Sequence, residues 1–201
     1  MDGFERRRER KKAAIQQAAL ELFSTYGVQK VSIAEIAKKA KVSQVTIYNY
    51  FGSKDELLRA VVMRLMNEKY EAFKEMLAQD LPFPEKVKQV IFDKTETAKQ
   101  LKLDFLDSIV TGDTVLNEFY ESFIKEKSLP LLINFIEQGR REGYVHQKLS
   151  TAAILFYFDM FKDAIYRPGI FTEQNQNILW ELTDLFFYGL IGKRFEESER
   201  C

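Results

Sequence analysis

Apolar residues recur along this chain at the three- and four-residue spacings of an α-helix, and nowhere do they sustain the alternation of a strand. Ile15, Ala18, Ala19, Leu22, Phe23 and Tyr26 form one such face. Gly27 follows where a left-handed cap residue belongs. Ser32 precedes a short run of Ile33, Ile36, Ala37 and Ala40, with Glu35 at the capping-box distance. Ser43 opens a second short segment carrying Ile47 and Phe51. Ser53, with Glu56 three residues on, opens a long one that runs from Leu57 and Leu58 to Met76 and Leu77. Pro82 and Pro84 interrupt the pattern, which resumes at Val87, Val90, Ile91, Ala98 and Leu101. Gly112 and Pro130 punctuate two or three shorter helices, and a segment over residues 131–141 stops at Gly143. Two strongly apolar helices follow, over residues 151–166 and 175–193, separated by Pro168 and Gly169. The pattern predicts an all-α protein of about nine helices, a three-helix head with a helix-turn-helix followed by a larger helical body.

Composition supports a packed protein: of 201 residues, 46% are hydrophobic and 30% charged, enough apolar side chains for a sizeable core. The formal net charge of zero hides an asymmetry. The first sixty residues hold twelve Lys and Arg against seven Asp and Glu, so the remainder is acidic to the same degree. A basic head on an acidic body places any polyanion contact at the head. The single cysteine, Cys201, allows no disulfide within the chain, which suits a reducing cytoplasm. The N-terminus is charged, unlike a secretory signal, and no apolar run approaches the ~20 residues that cross a bilayer. The expectation is a cytoplasmic protein that does not enter a membrane.

The two short segments have the makings of a DNA reader. Ile33, Ile36 and Ala37 face inward, Ala40 permits close approach at the turn, and Val42 can plug the angle between the helices. Ser43 caps the second helix, whose inner side is Ile47 and Phe51. Gln44, Val45, Thr46, Tyr48, Asn49 and Tyr50 are then left largely free. Amides that bond adenine, a methyl-bearing group for thymine and hydroxyls for phosphate are the mixture a major-groove helix needs. The run Arg6, Arg7, Arg8, Arg10, Lys11, Lys12 lies upstream, where it can flank a duplex. Lys54, beside a helix start, can meet a phosphate together with the free amides there.

From Ser32 to Leu57 the chain reads S-I-A-E-I-A-K-K-A-K-V-S-Q-V-T-I-Y-N-Y-F-G-S-K-D-E-L. This resembles the tetracycline-repressor (TetR) family, whose pattern is T-x-x-x-I-A-x-x-A-G-V-S-x-x-T-[LI]-Y-x-[HY]-F-x-[SN]-K-x-x-L. The body resembles the family more loosely, through Ile136, Gly139, Glu142 and Gly143 and through the closing apolar helix. The resemblance implies a homodimer on double-stranded DNA, with residues 1–52 as DNA-binding domain and 53–201 as effector-binding and dimerisation domain. It implies Gln44, Val45 and Asn49 as base readers, with Ser32, Thr46, Tyr48, Tyr50 and Lys54 mainly at phosphates and Ser43 also among the DNA-binding residues. Two positions depart from the pattern. Lys41 stands at the usual turn glycine, so either the turn avoids positive φ or Lys41 is strained. Val45 stands where a small residue or Pro is common, so base preference does not transfer.

Seventeen Phe and nine Tyr are many for this length, and most follow residue 70. Phe92, Phe105, Ile109, Phe123, Phe156 and Trp180 are candidate liners of an effector pocket for a small apolar or aromatic molecule. Asp104, Asp107, Tyr157 and Asp159 are its candidate polar groups. Aromatics at helical spacing equally suit a packed core. The last two helices are apolar on more than one side and need a second cover, which a partner copy provides. Phe161, Leu182, Leu185, Phe186 and Gly189 are the expected interface. The lone His146 and terminal Cys201 make neither a metal site nor a nucleophile triad, and no glycine-rich phosphate loop occurs. The reading is therefore no enzyme, no cofactor and no metal: a dimeric repressor released from a palindromic operator by its effector. An architectural DNA-binding protein without effector and a helical protein-interaction module are the alternatives.

Overall fold

Helix α1 spans Gly3–Tyr26 and buries Ile15, Ala18, Ala19 and Phe23, the stripe its periodicity predicts. It stops at Gly27, whose φ of 85° takes the left-handed conformation that glycine tolerates. Helix α2 spans Ile33–Ala40 behind a complete capping box: the Ser32 hydroxyl accepts from the Glu35 amide, and the Glu35 carboxylate accepts from the Ser32 amide at 2.7 Å. Its exit is a Schellman turn. The Lys41 amide donates to the Lys38 carbonyl and the Val42 amide to the Ala37 carbonyl, at 3.3 and 3.0 Å. That turn demands a left-handed residue, and Lys41 supplies it at φ 55°. The turn thus does not avoid positive φ, and Lys41 carries the strain that a glycine would escape.

Helix α3 spans Gln44–Phe51, capped by Ser43 and ended at Gly52. Helix α4, Lys54–Ala78, starts where the Ser53 hydroxyl accepts from the Glu56 amide at 3.0 Å. Residues 83–90 are helical too. Further on come α5 (Thr114–Phe123), α6 (Leu129–Arg141) and α7 (Thr151–Ile165). Seven α-helices thus have described bounds, against about nine expected from periodicity. The computed structural model describes residues 3–90, 105, 113–165, 178, 181, 182, 185 and 189, with the backbone alone at 158 and 161–165. Among these residues the fold is all-helical, and no helix is long and apolar enough to cross a membrane.

Pro130 does not break the helical run as expected. Residues 124–128 form a π-helical turn that joins α5 to α6 without interruption, closed by the Leu129 amide on the Ile124 carbonyl. A proline ring collides with the carbonyl four residues earlier in a regular helix. The wider turn here shifts that carbonyl's place in the bonding pattern, so Pro130 sits near the start of α6 with the helix intact.

The chain divides into two compact units, Met1–Lys69 with Lys99–Asn117, and Tyr70–Ala98 with Glu118–Cys201. The first has a core of Ile15, Phe23, Ile36, Ile47, Leu57 and Val61 with their neighbours. Each such side chain contributes roughly 1.5–3 kcal/mol when fully buried. Arg59 adds a polar tie: it donates to Asp113 at 2.8 Å and to Glu56 at 2.6 Å, while Asp113 caps α5 by accepting from the Leu116 amide.

The second unit is organised around Gly139 of α6. A Cβ there would lie 2.7 Å from the Phe83 ring and from Val145, closer than atoms can approach. Phe83 stacks with Tyr144 and packs on Phe135, all within this cluster. The Glu142 carboxylate accepts from the Phe83 amide at 2.7 Å, and Gly143 turns the chain at φ 81°. The spaced Ile136, Gly139, Glu142 and Gly143 of the sequence are thus a core contact, a close approach, a helix cap and a left-handed turn. Lys86 is buried, donating to the Leu77 carbonyl at 2.6 Å and to Gln138 at 3.0 Å. Its ammonium thereby satisfies a carbonyl in the last turn of α4, where a cation is favoured.

Candidate nucleic-acid interface

The first unit presents α3 on its surface because the helix has one apolar side only. Ile47 is buried, and Tyr50 and Phe51 pack against the core and meet one another edge to face at 6.4 Å between ring centres. Gln44, Val45, Tyr48 and Asn49 fall on the other side, at the i, i+1, i+4, i+5 spacing that shares a helix face. All four are exposed, Val45 at 66% and Tyr48 at 49%. Ser43 is spent on the cap: its hydroxyl accepts from the Thr46 amide at 3.1 Å and lies 2.9 Å from the Thr46 hydroxyl. Ser32 is likewise engaged with Glu35 at the start of α2. Lys54 is half-buried at the first position of α4, beside amides that helix geometry leaves without partners.

The electrostatics of this surface are local. The Ser32 amide, then its hydroxyl, hold the Glu35 carboxyl below the usual range, with Lys54 adding a smaller attraction. Lys39 forms an ion pair with Glu21 at 2.8 Å and, with Gln17, lowers that carboxyl in the same way. Burial pushes the Asp113 carboxyl up, but the Leu116 amide and Arg59 outweigh it and leave it below its ordinary value. The basic residues from Arg6 to Lys11 are exposed on the first turns of α1, with Lys12 half-buried.

The candidate effector liners scatter. Phe105 is fully buried in the core of the first unit, stacked on Phe23 at 6.4 Å. Phe123 is buried in the second unit, edge to face with Tyr70 at 5.7 Å and near Phe119. Phe156 is 69% exposed on α7. Phe92, Ile109, Trp180, Asp104 and Asp107 lie outside the described residues, as do Phe186 and the side chain of Phe161. Of the expected interface, Leu185 and Gly189 are exposed and Leu182 is half-buried. The hydrogen bond from the Tyr157 hydroxyl to the Leu185 carbonyl, at 3.2 Å, ties α7 to that last segment. Periodicity gave no sign of Lys127, whose ammonium lies 5.5 and 5.3 Å from the Tyr70 and Phe123 ring centres. Its placement depends on the π-turn, which a helical spacing rule does not anticipate.

Two capped short helices, a left-handed turn between them and an outward hydrogen-bonding face define a helix-turn-helix DNA-binding regulator. Residues 15–61 match the profile of the bacterial regulatory proteins of the tetR family. It is 27% identical over 157 residues to the HTH-type transcriptional regulator YvdT of Bacillus subtilis, covering 65% of this chain and 81% of YvdT. Two solved structures share its fold. The transcriptional regulator FadR of Bacillus subtilis in complex with stearoyl-CoA has a TM-score of 0.64 at 20% identity, covering 90% of this chain and 97% of that one. A regulator from Saccharomonospora viridis in complex with choline also has a TM-score of 0.64, at 16% identity, covering 92% and 100%.

Proposed function

We propose that this regulator is a cytoplasmic homodimeric repressor that holds a palindromic operator with two copies of α3 and leaves it when a small apolar molecule binds the second unit. The observation that carries the DNA half of the reading is the face of Gln44, Val45, Tyr48 and Asn49, exposed on a helix capped at its start by Ser43. Gln44, Val45 and Asn49 are the base readers; Ser32, Ser43, Thr46, Tyr48, Tyr50 and Lys54 surround them at phosphates. Two-fold heads reading successive major grooves require half-sites about 34–36 Å apart.

Dimerisation is supported by the apolar groups left uncovered in the second unit: Phe156 and Met160 one turn apart on α7, then Ile178, Leu185 and Gly189. The effector half is supported by the aromatic group around Phe123 and by the ligands of the two fold relatives, one a fatty-acyl thioester and one choline. The Lys127 ammonium already lies over the Tyr70 and Phe123 rings, which disfavours a second cation there, so apolar effectors are the first to test. Since α4 begins in the first unit and ends in the second, a ligand that tilts it changes the presentation of α3. Such coupling is typically about 1–3 kcal/mol.

The test is footprinting on duplexes selected from a random pool, repeated with long-chain acyl-CoA and with choline. Paired half-sites protected by a dimer, with protection lost on acyl-CoA, are expected. Protection of single asymmetric sites by one chain overturns the dimeric reading.

A further inference from the structure

We infer that the base pairs lying under α3 in each half-site are predominantly A·T. This rests on α3 being the reading helix, as proposed above, and adds what it reads.

The helix runs Gln44, Val45, Thr46, Ile47, Tyr48, Asn49, Tyr50, Phe51 and contains no Lys, Arg, Asp or Glu. The commonest base-specific contact, a cationic side chain on guanine O6 and N7, therefore has no donor on it, and no carboxylate is present to accept from cytosine N4. What it does offer is matched to the other pair. Gln44 and Asn49 are exposed, with no side-chain hydrogen bond among the described residues, and each can pair bidentately with adenine N6 and N7. Val45 stands between them, 66% exposed, with two methyl groups suited to the thymine C5-methyl. The two short hydroxyls at the start of the helix, Ser43 and Thr46, are bonded to one another at 2.9 Å as part of its cap. Of the nearby cations, Lys39 is held by Glu21 at 2.8 Å, and Lys41 lies in the turn before α3, not on its outward face.

The full-length protein is first used to select duplexes from a random pool, and the best duplex is then altered atom by atom. Replacing adenines under α3 by 7-deazaadenine removes the N7 acceptor and is expected to weaken binding roughly 2- to 12-fold per contacted base. Replacing thymine by uracil removes one methyl and should cost about fourfold. In the Val45→Ala variant the same uracil substitution should have no further effect, since both changes delete one contact. Replacing guanines in the half-sites by 7-deazaguanine should change nothing. A selected site with G·C pairs under α3, or a loss of affinity with 7-deazaguanine, overturns the inference while leaving the operator-binding reading intact. Independent losses from uracil and Val45→Ala remove Val45 from the thymine contact and overturn that element of the inference. If no duplex sequence is enriched at all, the reading role of α3 falls, and this inference with it.

Discussion

The helix-turn-helix and the second unit use the same kinds of side chain to opposite ends. Around α2 and α3, order comes from main-chain devices: a capping box at Ser32, a Schellman turn at Lys41, a hydroxyl cap at Ser43. With the backbone held this way, Gln44, Val45, Tyr48 and Asn49 are spared from holding the fold and stand in solvent. In the second unit, order comes from side chains meeting side chains, with Phe83, Phe135, Tyr144 and Val145 closing over Gly139. Aromatics there are already in contact with one another, so exposure does not pick out a ligand group. A surface whose fold rests on caps can change its outward residues freely, whereas a surface built from packed rings cannot.

Aromatics that are packed in contact with others part most sharply from exposed ones when Phe105 is cut to alanine. Its burial against Phe23 predicts a loss of about 3–5 kcal/mol in chemical denaturation. Phe156→Ala, on an exposed site, should leave stability nearly unchanged at concentrations where the protein is monomeric and act on self-association instead. Equal effects of the two would mean that burial does not separate them. Next comes Gly139→Ala, where a methyl must displace Phe83 or Val145; overpacking of this kind costs about 1–3 kcal/mol, read in a thermal melt. A melt that does not move would show that the rings give way freely.

Lys41→Gly should act in the other direction. It relieves left-handed strain of about 1–2 kcal/mol and restores roughly 0.4–1 kcal/mol of unfolded-state freedom, for a net gain of about 0–1.6 kcal/mol. A lower denaturation midpoint would place the strain elsewhere. The smallest effect is acid sensitivity. Glu21, Glu35 and Asp113 all titrate below their ordinary values when folded. Their stabilisation is therefore complete above the ordinary carboxylate range, near pH ~4, and is lost as pH falls through the lowered folded values. Hydrogen exchange at the Ile36 and Ile47 amides, corrected for intrinsic rates, should show opening becoming easier across that range. Constant protection would remove these carboxylates from the account.

What was legible in the sequence follows the same division. Ser32 with Glu35, Ser43, Ser53 with Glu56, and Gly27 are local signals, each readable within four residues, and each helix end fell where they put it. The buried stripe of α1 was legible for the same reason. Phe105 was not, because its partner Phe23 is more than eighty residues away and spacing says nothing about which stripe meets which. No local signal marks Lys86 or Asp113, because their roles depend on a carbonyl and a guanidinium brought in from another helix. Pro130 misled because a proline usually ends a helix, and no local cue announces a π-turn that accommodates it.

That turn has a consequence for how the helical run from Thr114 to Arg141 can change over time. A π-turn behaves as a regular helix with one residue inserted, and one residue is about 100° of rotation. Everything after Ser128 is therefore out of phase with everything before Ile124. Phe119 and Phe123 follow one stripe, and Leu132, Phe135, Ile136 and Gly139 follow another that an unbroken helix would aim elsewhere. Point substitutions can tune either stripe alone. A single-residue deletion between them would rotate one against the other, so this stretch should tolerate exchange of residues far better than a change of length.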